Sequence, residues 1–433
     1  MITDDEITAR ARRELYLSPV IGTFRAYDQP LLLERGQMQF VWGAEGRRYL
    51  DFAGQNVSVS VGHCHPVVNE AAHRQIEEMV HCTTMWMNPV AAEYAEELFA
   101  RLPSGFDWVV HFVNSGAEAI DLATLLARVT TGSTDLISLQ NSFHGTHFGA
   151  ATLSGLDSCH QPAIAAPGIL HVPAPDPYRG IHGEAIDPYL ADLDATISSS
   201  TDGWVAGLVY EPIQGYGGVN PVPPAYIDAA AARVRAAGGL VIADEIQTGF
   251  GRTGDHFWGF EAAETVPDVI VLGKGIGNGF PLAAVVCHRD IAETMTEKKF
   301  FNTFGSNPVS CAAGRAVLSV IDSDGMQENS RVLGDYLRNG LETMAGTFEF
   351  IGDVRGSGLL IGIDIVTGRE SKEASAGIAV RIHEALRDEG IIAGRGGAQG
   401  NVLRVVPPMC IDFEDCRTFL DAFYRVSSGI SAS

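Results

Sequence analysis

The chain is short of what membranes and polyanions require. No apolar run is long enough to span a bilayer. The opening MITDDEITARARREL mixes acids with bases and lacks the apolar core of a secretory signal, and a transit peptide would be poorer in acids. Lys and Arg number 30 against 53 Asp and Glu, for a net charge of −23. That balance argues against nucleic acid or an anionic membrane as partner, since both need clustered cations. It says nothing about small molecules, because a pocket can be basic inside an acidic protein. Paired cysteines are also missing: Cys64, Cys82, Cys159, Cys287, Cys311, Cys410 and Cys416 are scattered with no C-x-x-C spacing. They read as reduced thiols of a cytoplasmic protein. There is no internal repeat and no low-complexity linker, so the domains are expected to pack tightly.

What remains is an ordinary globular composition, 46% hydrophobic and 19% charged over 433 residues, enough for a large core and for two or three domains. An amphipathic helix is followed by a hairpin, MQFVWGAEGRRYLDF, turning at Glu45-Gly46. NPVAAEYAEELFARLP reads as a helix starting near Pro89 and stopping before Pro103. Beyond it strands and helices alternate. DWVVHFVN, DLISLQN, VAGLVYEP, GLVIADEI, DVIVLGKG and LAAVVCH are short runs apolar on both faces. GAEAIDLATLLARVTTG and AYIDAAAARVRAAGG are helices, the first closed by Gly132. The pattern predicts an α/β fold with a mostly parallel sheet. From about Met326 the character changes to a helix, a strand-like DVRGSGLLIGIDIV, a helix around AGIAVRIHEALRDEG and NVLRVVPP, which read as a smaller α+β domain. The expected division is 1–60 as a segment joining the small domain, 61–325 as the large domain and 326–433 as the small domain.

Ligands of open parallel sheets sit at the carboxyl ends of the strands. After DWVVHFVN comes Ser115-Gly116-Ala117-Glu118, either an anion seat at a helix N-terminus or a simple cap. After DLISLQN, Phe143-His144-Gly145 sets an aromatic ring where it would cover a planar ligand or plug the core. After GLVIA, Asp244 is reached through five apolar residues, so it is expected to be semi-buried and paired. After DVIVL comes Lys274, flanked by Gly273, Gly275, Gly277 and Gly279, which let the backbone turn sharply and approach a ligand closely. A desolvated lysine has a lowered pKa and becomes a nucleophile for carbonyls. A P-loop is excluded, since no Ser or Thr follows the lysine. A phosphate seat, a stacking ring, a buried carboxylate for a pyridinium nitrogen and an imine-forming lysine together match pyridoxal 5′-phosphate (PLP). Lys274 would serve again as general acid/base at the substrate's Cα.

With YLDF, GHCHP, NSGAEA, EPIQGYGGV, ADEIQTGFGRTGDHFWGFE, LGKGIGNGFPLAAV, FNTFGSNPVSCAAG, DVRGSGLLIG and LRVVPP in order, essentially the whole chain resembles a class III, fold-type I PLP-dependent aminotransferase. Within that family it is most similar to the branch of alanine–glyoxylate aminotransferase type 2 and the ethanolamine-phosphate phospho-lyases. The resemblance implies Lys274 as the Schiff-base lysine and Asp244 as partner of the pyridine nitrogen. It implies Gln247 on the ring hydroxyl, Phe143 stacked on the ring, and Ser115, Gly116 and Ala117 on the phosphate. His144 and Glu211 complete the cofactor-binding set. Thr303 would reach the phosphate of a neighbouring subunit, which implies a homodimer, or a tetramer, with shared sites. Arg404 would grip a substrate carboxylate, as its bidentate fork suits.

Departures bear on substrate. Phe143 stands where many relatives have Tyr, and Ser306 where they usually have Gly. Tyr216 stands where ornithine and 4-aminobutyrate aminotransferases carry a glutamate that masks the arginine. Gln55 and Asn56 replace a common Gly-Ile and offer two amides to a polar amino donor, with Trp86 and Met87 nearby. His63-Cys64-His65, with His81 and Cys82, lacks zinc spacing, and no metal is expected. Asp157, Cys159 and His160 either line the entrance or are solvated. The expected reaction is ping-pong transfer of an amino group from a primary amine, alanine or β/ω-amino acid to pyruvate or glyoxylate. The alternative is a PLP-dependent lyase releasing ammonia from an aminoethyl phosphate or phosphonate-type substrate.

Overall fold

The structure is a computed structural model that describes residues 4–23, 25–159 and 165–431; His160 lies outside them. Two seven-stranded sheets organise it. The larger runs, edge to edge, Trp108–Val113, Ala283–His288, Val269–Leu272, Leu240–Asp244, Gly207–Tyr210, Leu136–Leu139 and Ile169–Val172. Only Ala283–His288 is antiparallel to its neighbours. The central strands Leu136–Leu139, Gly207–Tyr210 and Val269–Leu272 are buried at every position. That is why they read as unbroken apolar runs rather than alternating ones. Gly116–Thr131 packs on this sheet through Ala119, Ile120, Ala123, Leu126 and Ala127, at helical spacing. It ends where Gly132 turns left-handed at φ 73°.

The smaller sheet draws on both chain ends. Its order is Leu33–Gln37, Phe40–Gly43, Arg48–Phe52, Ile391–Gly396, Val402–Val405, Leu360–Ile365 and Ile351–Ser357. Arg48–Phe52 runs parallel to Ile391–Gly396, with Phe52 opposite Ala393. The segment DVRGSGLLIGIDIV is not one strand but a hairpin, Ile351–Ser357 with Leu360–Ile365. Gly356 (φ 118°) and Gly358 (φ 54°) bend it back on itself. The first helix spans Asp4–Tyr16, and Met326–Ala345, Ala376–Asp388 and Phe413–Ser431 accompany the small sheet. Among the described residues no helix is long and apolar enough to cross a membrane, and no group of three His, Cys, Asp or Glu is placed to hold a metal.

Candidate active site

Three neighbouring strands of the large sheet end on ionisable side chains at one level. Gly207–Tyr210 delivers Glu211, Leu240–Asp244 ends on Asp244, and Val269–Leu272 delivers Lys274 two residues beyond its end. Asp244 and Glu211 are almost fully buried. Lys274 starts a short 3-10 turn with its own φ at 45°, a left-handed conformation that lifts the side chain off the strand path. Among the described residues no hydrogen bond or ion pair ties its amine. Burial first, then the Arg404 cation, lower its pKa to about 8, against the opposite pull of Asp244 and Glu211.

His144 Nδ1 lies 2.7 Å from Asp244 Oδ2, and Asp244 Oδ1 accepts from the Ile246 N–H at 3.1 Å. Burial alone would lower the His144 pKa. The bond and charge of Asp244, with Glu211 behind, outweigh it and raise the value. The other ring nitrogen, Nε2, is buried without a partner among the described residues. Glu211 accepts from the N–H groups of Phe143 (2.8 Å) and Gly215 (2.9 Å), yet burial, the larger effect, pushes its pKa up to about 7. The Phe143 ring meets Tyr216 edge to face at 5.2 Å between centroids.

Ser115 is the N-cap of Gly116–Thr131, its hydroxyl accepting from the Glu118 N–H at 3.3 Å. Gly116 and Ala117 head that helix with N–H groups that have no intrahelical partner. The cap and the anion seat are therefore compatible. Asn302 donates to Glu118, which ties the loop carrying Thr303 to the same helix end. Thr303 itself is exposed. A side chain at Gly116 would stand 2.7 Å from Ile246, and one at Gly145 2.7 Å from the Ala117 methyl. Bare backbone, a helix N-terminus, a buried carboxylate and an unbound amine fit pyridoxal 5′-phosphate in kind and order.

Arg404, on Val402–Val405, is 2% exposed and forms no ion pair among the described residues. Nη2 donates to Gln247 Oε1 at 2.5 Å, Nη1 donates to Asn56 Oδ1 at 3.2 Å, and Nε has no partner among the described residues. The guanidinium also lies 5.9 Å from the Tyr216 ring centre. Burial lowers its pKa to about 10, so it stays charged at neutral pH. Gln247 is thus engaged with the arginine, and its amide packs where a Cβ on Gly215 would come within 2.4 Å.

Asn56 reaches Arg404 because Gly54, Gln55, Asn56 and Val57 all have positive φ (52°, 46°, 60° and 69°), a single left-handed turn. Such a backbone costs roughly 1–2 kcal/mol per non-glycine residue. Val57 is held there by a buried cluster with Ile213, Val219, Leu360 and Val406. This turn, and Arg395 in AGRGGAQGN, escape a sequence reading. The only signals were a Gly-Gln-Asn run and a Gly-rich stretch. Arg395 and Arg404 line a cavity of about 1200 Å³ together with Gln55, Asn56 and Tyr216, roofed by the N-terminal segment; Lys274 does not line it. Trp86 is 66% exposed and is not gathered with these residues inside one chain. Asp157 and Cys159 form a 3-10 turn, the thiol half-buried, with burial raising its pKa.

A model of the family described as aminotransferase class III matches residues 24–426. An alanine–glyoxylate aminotransferase 2 homologue, mitochondrial by name, from Arabidopsis thaliana is 42% identical over 414 residues, 95% of this chain and 85% of the relative. Among solved structures, an Arthrobacter phospholyase in complex with phosphoethanolamine superposes with a TM-score of 0.90 at 34% identity, covering 97% of this chain and 99% of that one. A PLP-bound amine transaminase from an uncultivated Pseudomonas species gives 0.86 at 27% identity, covering 93% and 95%.

Proposed function

The chain belongs to the class III aminotransferases, fold-type I enzymes that use pyridoxal 5′-phosphate, and we propose that it moves an amino group from alanine, a β/ω-amino acid or a primary amine to glyoxylate or pyruvate. The observation that carries this reading is Lys274, a desolvated amine with no hydrogen bond among the described residues, beside Asp244 and Glu211 and in the field of Arg404. When bound, the cofactor supplies a carbonyl carbon that exchanges amines and a ring that accepts electrons. Lys274, an amine at mildly alkaline pH, anchors the cofactor and carries the proton at the substrate's Cα. Asp244, fixed by His144, would pair with the ring nitrogen, Phe143 would cover the ring, and Ser115, Gly116 and Ala117 would hold the phosphate. Arg404 takes the carboxylate of the acid, Gln55 and Asn56 lie beside it, and Trp86 would join the pocket only from a neighbouring subunit.

We also propose a homodimer in which Thr303 completes the neighbour's phosphate seat. Met85, Trp86, Met87, Phe300, Phe301 and Phe304 are all exposed, apolar side chains that such a subunit contact would cover. Residues 61–325 would form the large domain, and 1–60 with 326–433 the small one. Seven free thiols suit a reducing compartment, and we place the protein in the cytoplasm.

The test is a single turnover of the yellow enzyme with L-alanine, β-alanine, 3-aminoisobutyrate, a ω-amine or ethanolamine phosphate and no keto acid. Bleaching restored by pyruvate or glyoxylate is the expected result. Free ammonia, with the colour returning unaided, would overturn transamination in favour of elimination.

A further inference from the structure

We propose that Asn56 is a positioning residue whose neutral amide, presented by the left-handed turn, orients Arg404 while leaving its positive charge uncompensated for an incoming carboxylate. The proposal rests on the reading of Arg404 as the carboxylate receptor. It gives Asn56 a role through the arginine and not through contact with the amino donor.

A buried arginine is ordinarily paired with a carboxylate. Here the hydrogen-bond partners are two side-chain amides, Gln247 on one nitrogen and Asn56 on another, with Nε left over. The aromatic face of Tyr216 lies alongside. Glu211 acts on the cation through space and makes no bond to it. The amides fix the plane of the fork, and neither cancels its charge.

The turn that delivers Asn56 is built into the strand that carries Arg404. Val406 donates its N–H to Phe52 O at 2.8 Å, just before the turn. A Cβ on Gly54 would stand 2.6 Å from Val406 O, so glycine alone fits there. Val57 packs on Val406 within a buried cluster. Turn and strand therefore keep one register, and the amide meets the guanidinium without either side chain having to search. Aspartate at this position has the same shape and the opposite consequence, because a carboxylate would bond Arg404 and occupy the charge the substrate needs.

The test compares wild-type holoenzyme with Asn56→Asp, Asn56→Gly and Arg404→Met. It measures the affinity of propionate, an unreactive carboxylate, by calorimetry, and KM and kcat for pyruvate. The expected order of propionate affinity is wild type, then Asn56→Gly, weaker by roughly 2- to 10-fold for one lost hydrogen bond, then Asn56→Asp, weaker by roughly 10- to 100-fold. The losses should fall on KM far more than on kcat, a split that general disruption of the pocket would not give. An Asn56→Asp enzyme that binds propionate as tightly as wild type, or more tightly than Asn56→Gly, overturns the proposal. If the aspartate variant does not fold, wild-type affinity in Asn56→Gly overturns it by itself. If Arg404→Met loses propionate while both Asn56 variants keep it, only the role of Asn56 falls. If Arg404→Met keeps it, the receptor reading falls and takes this proposal with it.

Discussion

Lys298, Lys299 and Lys372 are the chain's other lysines, and all are exposed. Lys274 alone is set into the floor of the site, where burial and Arg404 bring its pKa to about 8. Below that pH it is an ammonium ion, and above it an amine able to attack a carbonyl. Reloading of the apoenzyme with cofactor should therefore accelerate as pH rises through about 8. A half-maximal rate near the ordinary lysine range, followed by absorbance in stopped flow, would contradict the assignment. Lys274→Ala should lower turnover by ~1,000-fold or more while the fold persists by circular dichroism, because both anchor and proton carrier are gone. Lys274, Asp244 and Phe143 stood out in the sequence because each stands at or just beyond the end of a strand of unmistakable apolar pattern. The bond between Asn56 and Arg404 was not. The two residues are 348 apart, and no local rule speaks of their meeting.

At the scale of elements, legibility followed periodicity. Gly116–Thr131 and Pro89–Phe99 carry apolar residues at helical spacing between clear stop signals, and the structure keeps those limits. The left-handed turn at Gly54–Val57 lacked any such signal. Asparagine and glycine tolerate that conformation and valine resists it, so only the buried cluster around Val57 explains it. The hairpin in DVRGSGLLIGIDIV was hidden for a related reason, since its turn glycines interrupt two strands of similar composition. Gly132 allows a clean measurement. It caps its helix at φ 73°, and a methyl there would meet nothing within 4 Å. Gly132→Ala should thus lower stability in chemical denaturation by about 1 kcal/mol, through backbone strain alone, with turnover unchanged.

For the whole molecule, a net charge of −23 sets a field that repels the acids this family uses. The cavity above Arg404 is locally richer in cations: Arg10, Arg13, Arg25, Arg395 and Arg404 line it against Glu14 and Asp28, and none of the five forms an ion pair among the described residues. The exposed aromatic group around Thr303 marks the proposed contact between subunits. Phe301→Glu should shift the protein to monomer in light scattering after gel filtration and loosen the cofactor; an unchanged dimer would remove this surface from the interface. The small sheet carries a further consequence, one of timing. Phe52 pairs with Ala393, about 340 residues later. At ribosomal speeds its strand, already paired with Phe40–Gly43 on one edge, waits about 20–70 s before its parallel partner exists. The large sheet, whose strands all lie between residues 108 and 288, can close in that interval. Arg404 and its setting come together last. A nascent chain stalled short of residue 391 would own every strand that bears Lys274 and Asp244, and no means of gripping the acid.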